Sequence, residues 1–266
     1  MNRRMFLKSL SGAGLCAGAA LTGGCHYYYI IKGELASTNE MFIEPFRRRT
    51  FLSWNINAGL GMDGTRDLAR IAEVIKKADV AVTAVQEVDR KTTRVKGVDQ
   101  LEELEKLTGL RGLWCATSTR EKGEVGMALL VKDMPAKDRI AELPGGGKVL
   151  LVEYPAFTAG VLHLPAKEED RAAAVVKLSG LIEVNRPLFL LGDWGEDPTT
   201  ELMQKLRRAF ATLTNFAKTY PADEPTNCYD YIAISQRHRM RFEHISHEVI
   251  EEKVASDHRP VKVTAW

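Results

Sequence analysis

The sequence predicts an α/β fold, in which β-sheets are layered with helices. Short apolar runs of strand length alternate with segments whose apolar residues recur at helical spacing. Helical segments follow the first two strand-like runs, which is the order typical of α/β layering. The chain has 266 residues, 45% of them hydrophobic. It can therefore bury one sizeable core, and we expect a single domain of about 220 residues.

Two strand–helix pairs open this domain. Residues 50–57 are expected to form a buried strand, and residues 67–78 carry apolar side chains every three or four positions, as in an amphipathic helix. Residues 80–86 predict a second, short strand. A second amphipathic helix over 99–108 is stopped by Gly109, because glycine readily adopts the left-handed conformation that ends many helices.

The rest of the domain predicts further strands and two more helices. One helix is expected to begin at Asp197-Pro198, with Asp197 as its N-cap and Pro198 in its first turn. The basic segment 236–241 is expected to be a solvated turn. The remaining predicted elements are strands over 113–116, 126–132, 148–154 and 158–164, a helix over 168–184, and strands over 188–191, 229–235, 242–250 and 260–266.

The first 25 residues are typical of an export signal. Arg3-Arg4 and the residues after them resemble a twin-arginine signal, and Thr22-Gly23-Gly24-Cys25 resembles a lipoprotein cleavage box with Cys25 as the lipidated, membrane-attached residue. Residues 26–49 are expected to be a linker and residues 50–266 the folded domain. We therefore expect a protein that is exported to the periplasm or attached to the cell envelope of a bacterium. An uncleaved apolar anchor is the alternative.

Charge and cysteine content limit the function classes. The formal charge is +2, but three basic residues belong to the expected signal, so the mature domain is nearly neutral. Proteins that bind long nucleic acids usually carry a basic excess or face, and only a local basic patch stays open here. The domain retains Cys115 and Cys228, whose pairing the sequence leaves open. No Cys-x-x-Cys spacing indicates a structural zinc site.

Six short segments end or flank predicted strands with residues that can bind a cation or move a proton. In chain order they are Ser53-Trp54-Asn55-Ile56-Asn57, Val85-Gln86-Glu87-Val88-Asp89, Leu162-His163-Leu164, Gly192-Asp193-Trp194-Gly195, Tyr229-Asp230-Tyr231-Ile232 and Ser256-Asp257-His258-Arg259-Pro260. Together and in this order they resemble the endonuclease/exonuclease/phosphatase superfamily. The resemblance covers residues 50–266. It implies a four-layer α/β sandwich of two facing mixed sheets flanked by helices.

The resemblance also implies a divalent metal. Glu87 would be the main ligand, Asn55 beside it would bind the metal or a metal-bound water, and Asp257 would contact the metal directly or through water. Mg²⁺ is a hard cation that takes few protein carboxylates and keeps several waters, so such a small oxygen set suits it. Mg²⁺ is the implied cofactor and Mn²⁺ the alternative.

Four residues are implied as catalytic. Asp193 would position and deprotonate the attacking water. His163 would contact phosphate or act as an acid. His258 would transfer protons or contact phosphate, and Asp230 would orient its imidazole and raise its pKa.

One position departs from the pattern, because the family usually reads Gly-Asp-Phe-Asn where this chain reads Gly192-Asp193-Trp194-Gly195. Gly195 cannot donate the amide hydrogen bond of that Asn, and losing such a donor typically costs about 10²–10³ in rate. Asn57 and Trp194 are candidate substrate-binding residues near this gap.

Arg94 is a further candidate substrate-binding residue. It lies in the basic segment 90–96, which follows Glu87 and is expected to rim the cleft. A solvated loop is the alternative for this segment.

The expected activity is hydrolysis of a phosphodiester or phosphomonoester by in-line attack of an activated water. The substrate stays open between a nucleic acid, a phospholipid headgroup and a small phosphate ester. The alternative is a degenerate relative that keeps the cleft and binds a ligand or partner without turnover, which Gly195 favours. We expect a monomer.

Overall fold

The structure is a computed structural model, and it describes residues 17–21, 24–31, 34–37, 48–164 and 167–266. The chain forms two compact units, residues 1–47 and residues 48–266. In the first unit, strands β1 (Ala17–Leu21), β2 (Gly24–Ile31) and β3 (Glu34–Ser37) form an antiparallel sheet in that order. Arg3 and Arg4 lie outside the described residues. The export signal, the linker and the lipidation of Cys25 stay predictions.

The second unit contains twelve strands and four α-helices within its described residues. The strands are β4 (Arg49–Asn55), β5 (Val82–Arg90), β6 (Arg111–Arg120), β7 (Gly123–Val131), β8 (Lys137–Glu142), β9 (Lys148–Glu153), β10 (Thr158–His163), β11 (Leu188–Asp193), β12 (Phe210–Thr212), β13 (Asp230–Ser235), β14 (Ile245–Val249) and β15 (Val261–Ala265). The helices are α1 (Leu68–Ala78), α2 (Gln100–Thr108), α3 (Glu168–Ser179) and α4 (Glu201–Ala209).

The strands form two mixed six-stranded sheets that pack face to face. The order in one sheet is β14-β15-β4-β5-β7-β6 and in the other β12-β13-β11-β10-β9-β8. Apolar side chains from both inner faces make the central core, where the rings of Phe51 and Phe189 lie 4.5 Å apart and Phe157 packs edge-on against both. Burial of aromatic rings of this size makes the largest contributions to such a core.

Helices cover the outer face of each sheet. Ile71 and Ile75 of α1 and Leu104 of α2 pack with Trp54 of the first sheet, and α3 and α4 bury apolar side chains against the second. The helix spacing in the sequence creates these apolar stripes, because positions three and four apart lie on one face. The predicted four-layer α/β sandwich is confirmed.

The pairing of the strands brings several polar residues to one end of the sandwich. β4 and β5 run parallel, as do β10 and β11, so their carboxyl ends meet at the same sheet edge. His163 pairs in register with Asp193, and Asp193 pairs with Asp230 across the antiparallel β13. Gly192 permits the close approach of β10 and β11, because a Cβ there would collide with the Leu162 carbonyl oxygen.

Several predicted boundaries are wrong. The helix predicted over 168–184 ends at Ser179, and the N–H of Gly180 closes its last turn by bonding carbonyls of that turn. Helix α4 begins at Glu201 with Thr200 as its N-cap, not at Asp197. Asp197 accepts hydrogen bonds from Asn227 Nδ2 and Cys228 N instead, so it anchors the chain before β13.

In the second unit, two strands, β8 and β12, have no counterpart among the predicted elements. Residues 236–241 form a 3₁₀ turn, and it is only partly solvated because His238 is buried between Ser235 and the Val184 carbonyl oxygen.

Cys115 and Cys228 are both free and buried, so they do not form a disulfide with each other. Among the described residues, the helices include none with the length and apolar character needed to cross a membrane.

Candidate active site

Asn55 joins the two sheets at the end where the polar residues gather. Its Nδ2 donates to Glu87 Oε1 at 2.9 Å in its own sheet and to Asp193 Oδ2 at 3.1 Å in the facing one. Its Oδ1 accepts from the N–H of Asn57 at 3.0 Å, and its carbonyl accepts from Ser256 Oγ at 2.7 Å. In this arrangement the amide positions two carboxylates, and its oxygen keeps a second lone pair besides the one that accepts from Asn57.

Glu87 is presented by a distortion of β5. The register with β7 shifts between Val85 and Val88, so an extra residue bulges from the strand, and Glu87 has a φ of 54°. Bulges re-aim side chains and are frequent beside active sites, and positive φ is costly for a residue with a Cβ. The surrounding fold therefore holds the Glu87 carboxylate in an aimed position.

His258 and Asp230 form a buried hydrogen-bonded pair. His258 Nδ1 lies 2.8 Å from Asp230 Oδ2, and the two side chains are almost fully shielded from solvent. Burial lowers the pKa of His258, but the nearby charges of Asp230, Asp193 and Asp257 outweigh it and raise the pKa to about 9. The Tyr220 ring packs 4.7 Å from the imidazole. The pair can therefore hold a positive imidazolium at this end of the sandwich.

Asp193 is the carboxylate on which the surrounding groups converge. Besides Asn55, its Oδ2 lies 3.7 Å from His258 Nε2 and 3.9 Å from His163 Nε2. His163 is 40% exposed at its side chain, so it reaches the open cleft, whereas His258 lies beneath. The structure thus brings together all four residues that were predicted as catalytic.

The residues predicted to bind substrate lie in different environments. Asn57 follows Asn55 in a left-handed conformation, with a φ of 46°. Arg94 forms a bidentate pair with the buried Asp89, with two contacts of 2.6 Å, so two of its donors serve the fold. Trp194 is 1% exposed and packs 5.0 Å from the Tyr231 ring in the core beneath the second sheet. The structure does not bring Trp194 to the cleft, because the pleat turns it away from Asp193.

Gly195 leaves space where the family usually carries Asn. Its φ is +60°, and a Cβ placed on it would meet no atom within 4 Å. Asn is among the residues that tolerate this left-handed conformation best. The backbone and the cavity could therefore both hold the missing amide.

Acidic side chains dominate the centre and fit a hard cation. Asp193, Asp230 and His258 offer ligand atoms within 4.8 Å of one another. Burial and the charge of Glu87 raise the pKa of Asp257, which shows that the two carboxylates repel each other in the protein alone. A cation between Glu87 and Asp257 would relieve this repulsion, and carboxylate oxygens are the donors that divalent hard cations take. The donor set therefore fits the metal that the sequence implied.

Comparison with known proteins gives the family. The model of the Endonuclease/Exonuclease/phosphatase family matches residues 52–258, most of the chain. The chain belongs to this family. Its members are in general hydrolases of phosphate esters and depend on divalent metals. A search of curated proteins found no match.

Solved structures of the family share the fold at low identity. An endonuclease/exonuclease/phosphatase from Beutenbergia cavernae is 19% identical with a TM-score of 0.64, over 82% of this chain and 71% of that one. A mannosyl-6-phosphatase from Bacteroides thetaiotaomicron is 17% identical with a TM-score of 0.65, over 82% and 99%. A truncated TDP2 from Caenorhabditis elegans is 17% identical with a TM-score of 0.60, over 82% and 97%.

Sequence reasoning missed several residues that build the site. Ser256 and Gln100 fasten its loops, through Asn55 O and Ala58 O. Tyr220 packs on His258, and Arg66 Nη1 donates to Ala58 O at 2.8 Å. The position of Ser256 beside Asp257 was the available signal. Tyr220 and Arg66 belong to loops without a motif, so only the folded structure identifies them.

Proposed function

We propose that this protein is a divalent-metal-dependent phosphoesterase that hydrolyses its substrate by in-line attack of an activated water. The observation that carries the proposal is the convergence of Asn55, His163 and His258 on one oxygen of Asp193. A carboxylate fixed in this way can accept a proton from water in the cleft. The two imidazoles next to it can face the oxygens of a phosphate ester.

The proposed steps assign a task to each group. Asp193 orients the water and takes its proton while the water oxygen attacks phosphorus. The bond from phosphorus to the leaving oxygen breaks, and His163, the exposed imidazole, gives that oxygen a proton. His258, held by Asp230, stays charged and faces the phosphoryl oxygens. General acid–base steps of this kind each contribute about 10²–10⁴ in rate.

Glu87 and Asp257 would hold the metal, with Asn55 orienting the Glu87 carboxylate. When bound there, the cation supplies charge neutralisation for the phosphoryl oxygens. We propose Mg²⁺, since the donors are oxygens and few in number, with Mn²⁺ as a substitute. Asn57 is proposed to contact the substrate beside this centre.

The test is hydrolysis of bis-p-nitrophenyl phosphate and p-nitrophenyl phosphate by the purified protein with Mg²⁺, Mn²⁺ or EDTA. The Glu87→Ala variant is measured in parallel, and Glu248→Ala, on the distant strand β14, is the matched control. We expect metal-dependent turnover that only Glu87→Ala abolishes. Absence of turnover with every metal would support the alternative, a ligand-binding relative, which the missing amide at Gly195 favours.

We further propose export and attachment of the chain through Cys25, which the Arg3-Arg4 motif and the cleavage-box pattern support. Radiolabelled palmitate should enter the wild-type protein in a bacterial host and not Cys25→Ser. Wild-type protein without label, recovered from the cytoplasm, would contradict both proposals.

A further inference from the structure

A cavity of about 590 Å³ at the start of helices α1 and α2 carries three basic side chains, Arg66, Arg94 and Lys96. Arg66 Nη1 donates to the carbonyl oxygens of Ala58 and Asn57, in the loop that follows the Asn55 strand. The cavity and the catalytic centre are therefore both bonded to this short loop, the cavity through Arg66 and the centre through Asn55, whose Oδ1 accepts from Asn57 N.

Positive charge in this cavity is only partly compensated. Two donors of Arg94 are engaged by Asp89, but Arg66 is exposed and makes its described contacts with neutral carbonyl oxygens. The pKa of Arg66 is lowered by partial burial of its guanidinium and by the positive charge of Arg94 nearby. Lys96 is exposed at the rim in a left-handed conformation, with a φ of 55°. Guanidinium and ammonium groups arranged in this way bind phosphate oxygens.

The remaining walls define the rest of the ligand. Leu68, Val98 and Leu107 contribute apolar surface, and Val98 is 43% exposed, so apolar area faces the cavity opening. Two acids, Asp67 and Glu103, also line the cavity. Asp67 caps helix α1 by accepting hydrogen bonds from N–H groups of its first turn, whereas Glu103 does not cap a helix. An anionic group next to a short carbon skeleton fits this combination.

We infer that this cavity binds a second, unreacted phosphoryl group, and that the substrate of the enzyme carries two. The inference rests on the proposed function, because it places the scissile phosphate at Asp193 and the second one in the cavity whose Arg66 and Gln100 contact the Asn57–Gly59 loop. The second group could be a free phosphate of a small bisphosphate or the neighbouring diester of a nucleotide chain. Both kinds of substrate present phosphate oxygens to the cavity, and the binding probes distinguish between them.

The first measurement is equilibrium binding to the full-length protein in EDTA, which needs no turnover. Thymidine 3′,5′-bisphosphate is compared with thymidine 5′-phosphate by isothermal titration. We expect the bisphosphate to bind about tenfold or more tightly, since a charge-assisted contact is worth about that factor. The dinucleotide with an internal diester and a 5′-phosphate is the third probe. It should match the bisphosphate if the second group comes from a nucleotide chain and fall below it if that group is a free phosphate.

Two variants and one matched control locate the effect. Lys96→Asn keeps a residue that tolerates the left-handed backbone, and Arg66→Gln keeps a donor for Ala58 O. Each should reduce the preference for the bisphosphate severalfold. Lys91→Asn is the control, because Lys91 lies in the same basic segment, has a φ of 60° and does not line the cavity. Equal affinity of wild type for the two nucleotides, or a preference that survives in both variants, would overturn the inference.

Turnover separates this inference from the proposed function. Thymidine 5′-(p-nitrophenyl phosphate), with and without a 3′-phosphate, is hydrolysed under the same conditions. If both esters are hydrolysed with the same KM and the protein binds the two nucleotides equally, the proposed phosphoesterase activity is supported and the inference of a second phosphate site fails. If neither diester is hydrolysed, p-nitrophenyl phosphate is not hydrolysed either, and Lys96→Asn still removes the binding preference, then binding at the cavity is supported and the proposed function fails.

Discussion

His258 and Asp230 lie 2.8 Å apart between Nδ1 and Oδ2, on two chain segments that meet only in the folded sandwich. Asp230 starts β13 in one sheet, and His258 precedes β15 in the other. The contact therefore fixes the ring orientation and leaves Nε2 facing Asp193. A carboxylate on one imidazole nitrogen selects the tautomer and the charge on the other.

Asp230→Asn should reduce turnover with little change in the architecture. The amide is the same size, but it cannot stabilise the imidazolium, so we expect kcat to fall by about 10²–10⁴. Metal-dependent hydrolysis of bis-p-nitrophenyl phosphate measures this effect. Asp138→Asn, on the edge strand β8, is the control for loss of a carboxylate. A change in kcat of less than a few-fold would show that the pair has only a structural role.

The same pair should make stability depend on pH in the metal-free protein. The pKa of His258 is raised to about 9 in the folded state, against about 6.5 when unfolded. Its contribution to the free energy of unfolding is therefore fully present below pH 6.5 and is lost as the pH rises through 9. Urea unfolding in EDTA of wild type and His258→Gln, from pH 6 to 9.5, should show the difference shrinking; a constant difference would contradict it.

Much of this site could be predicted from the sequence, because its residues follow apolar strands directly. Asp193 comes after four apolar residues and a glycine, so position in the chain was enough to place it at a sheet edge. The strand predicted over 80–86 instead runs from Val82 to Arg90, and Glu87 lies at a bulge within it. The bulge that aims Glu87 was not predictable, since it depends on pairing with β7. Asp197 resembled a helix cap, yet tertiary contacts with Asn227 and Cys228 prevailed over that local preference.

The pairing of Arg94 in the basic segment 90–96 is a second feature that could not be predicted from the sequence. Arg94 follows Glu87 closely and was therefore expected at the cleft, but Asp89, five residues before it, takes its guanidinium. Burial of Asp89 makes this pairing necessary, because a buried carboxylate without a partner is costly. Burial is a property of the folded chain, so charge and spacing alone could not separate a substrate contact from a structural pair.

Asp89→Asn should destabilise the domain. Asp89 is fully buried, its partner Arg94 is 23% exposed, and Thr92 Oγ1 also donates to its carboxylate. Breaking a buried pair costs about 3–5 kcal/mol, and the exposure of Arg94 reduces this to an expected loss of about 2–3 kcal/mol. Thermal unfolding should show a decrease in Tm of about 4–12 °C. Asp99→Asn, which removes the acid of the more exposed Arg90 pair, should give a smaller decrease, and the reverse order would contradict the argument.

Gly195→Asn should increase the rate. The position has a φ of +60°, which Asn tolerates, and a Cβ there meets no atom within 4 Å, so the first atom of the side chain enters without displacing neighbours. A restored transition-state donor is worth about 10²–10³ at most, and we expect kcat to rise about tenfold or more. Gly195→Ala adds a Cβ without an amide and is the control, with folding of both variants checked by thermal unfolding because Ala tolerates this φ less well than Asn. Equal kcat values for the two variants would show that this chain does not use the donor that its relatives carry.

The two domain cysteines should resist modification while the protein is folded. Both side chains are buried, and burial raises the pKa of each thiol to about 11, so almost no thiolate forms near pH 8. The thiolate is the reactive species, which makes alkylation depend on opening of the fold. Iodoacetamide labelling followed by peptide mass spectrometry should find Cys115 and Cys228 unmodified in native buffer and both modified in urea. Labelling of Cys228 alone under native conditions would indicate local opening of the segment before β13, which begins at Asp230. In that case, metal addition should suppress the labelling, since a metal that binds only the folded catalytic centre stabilises that segment.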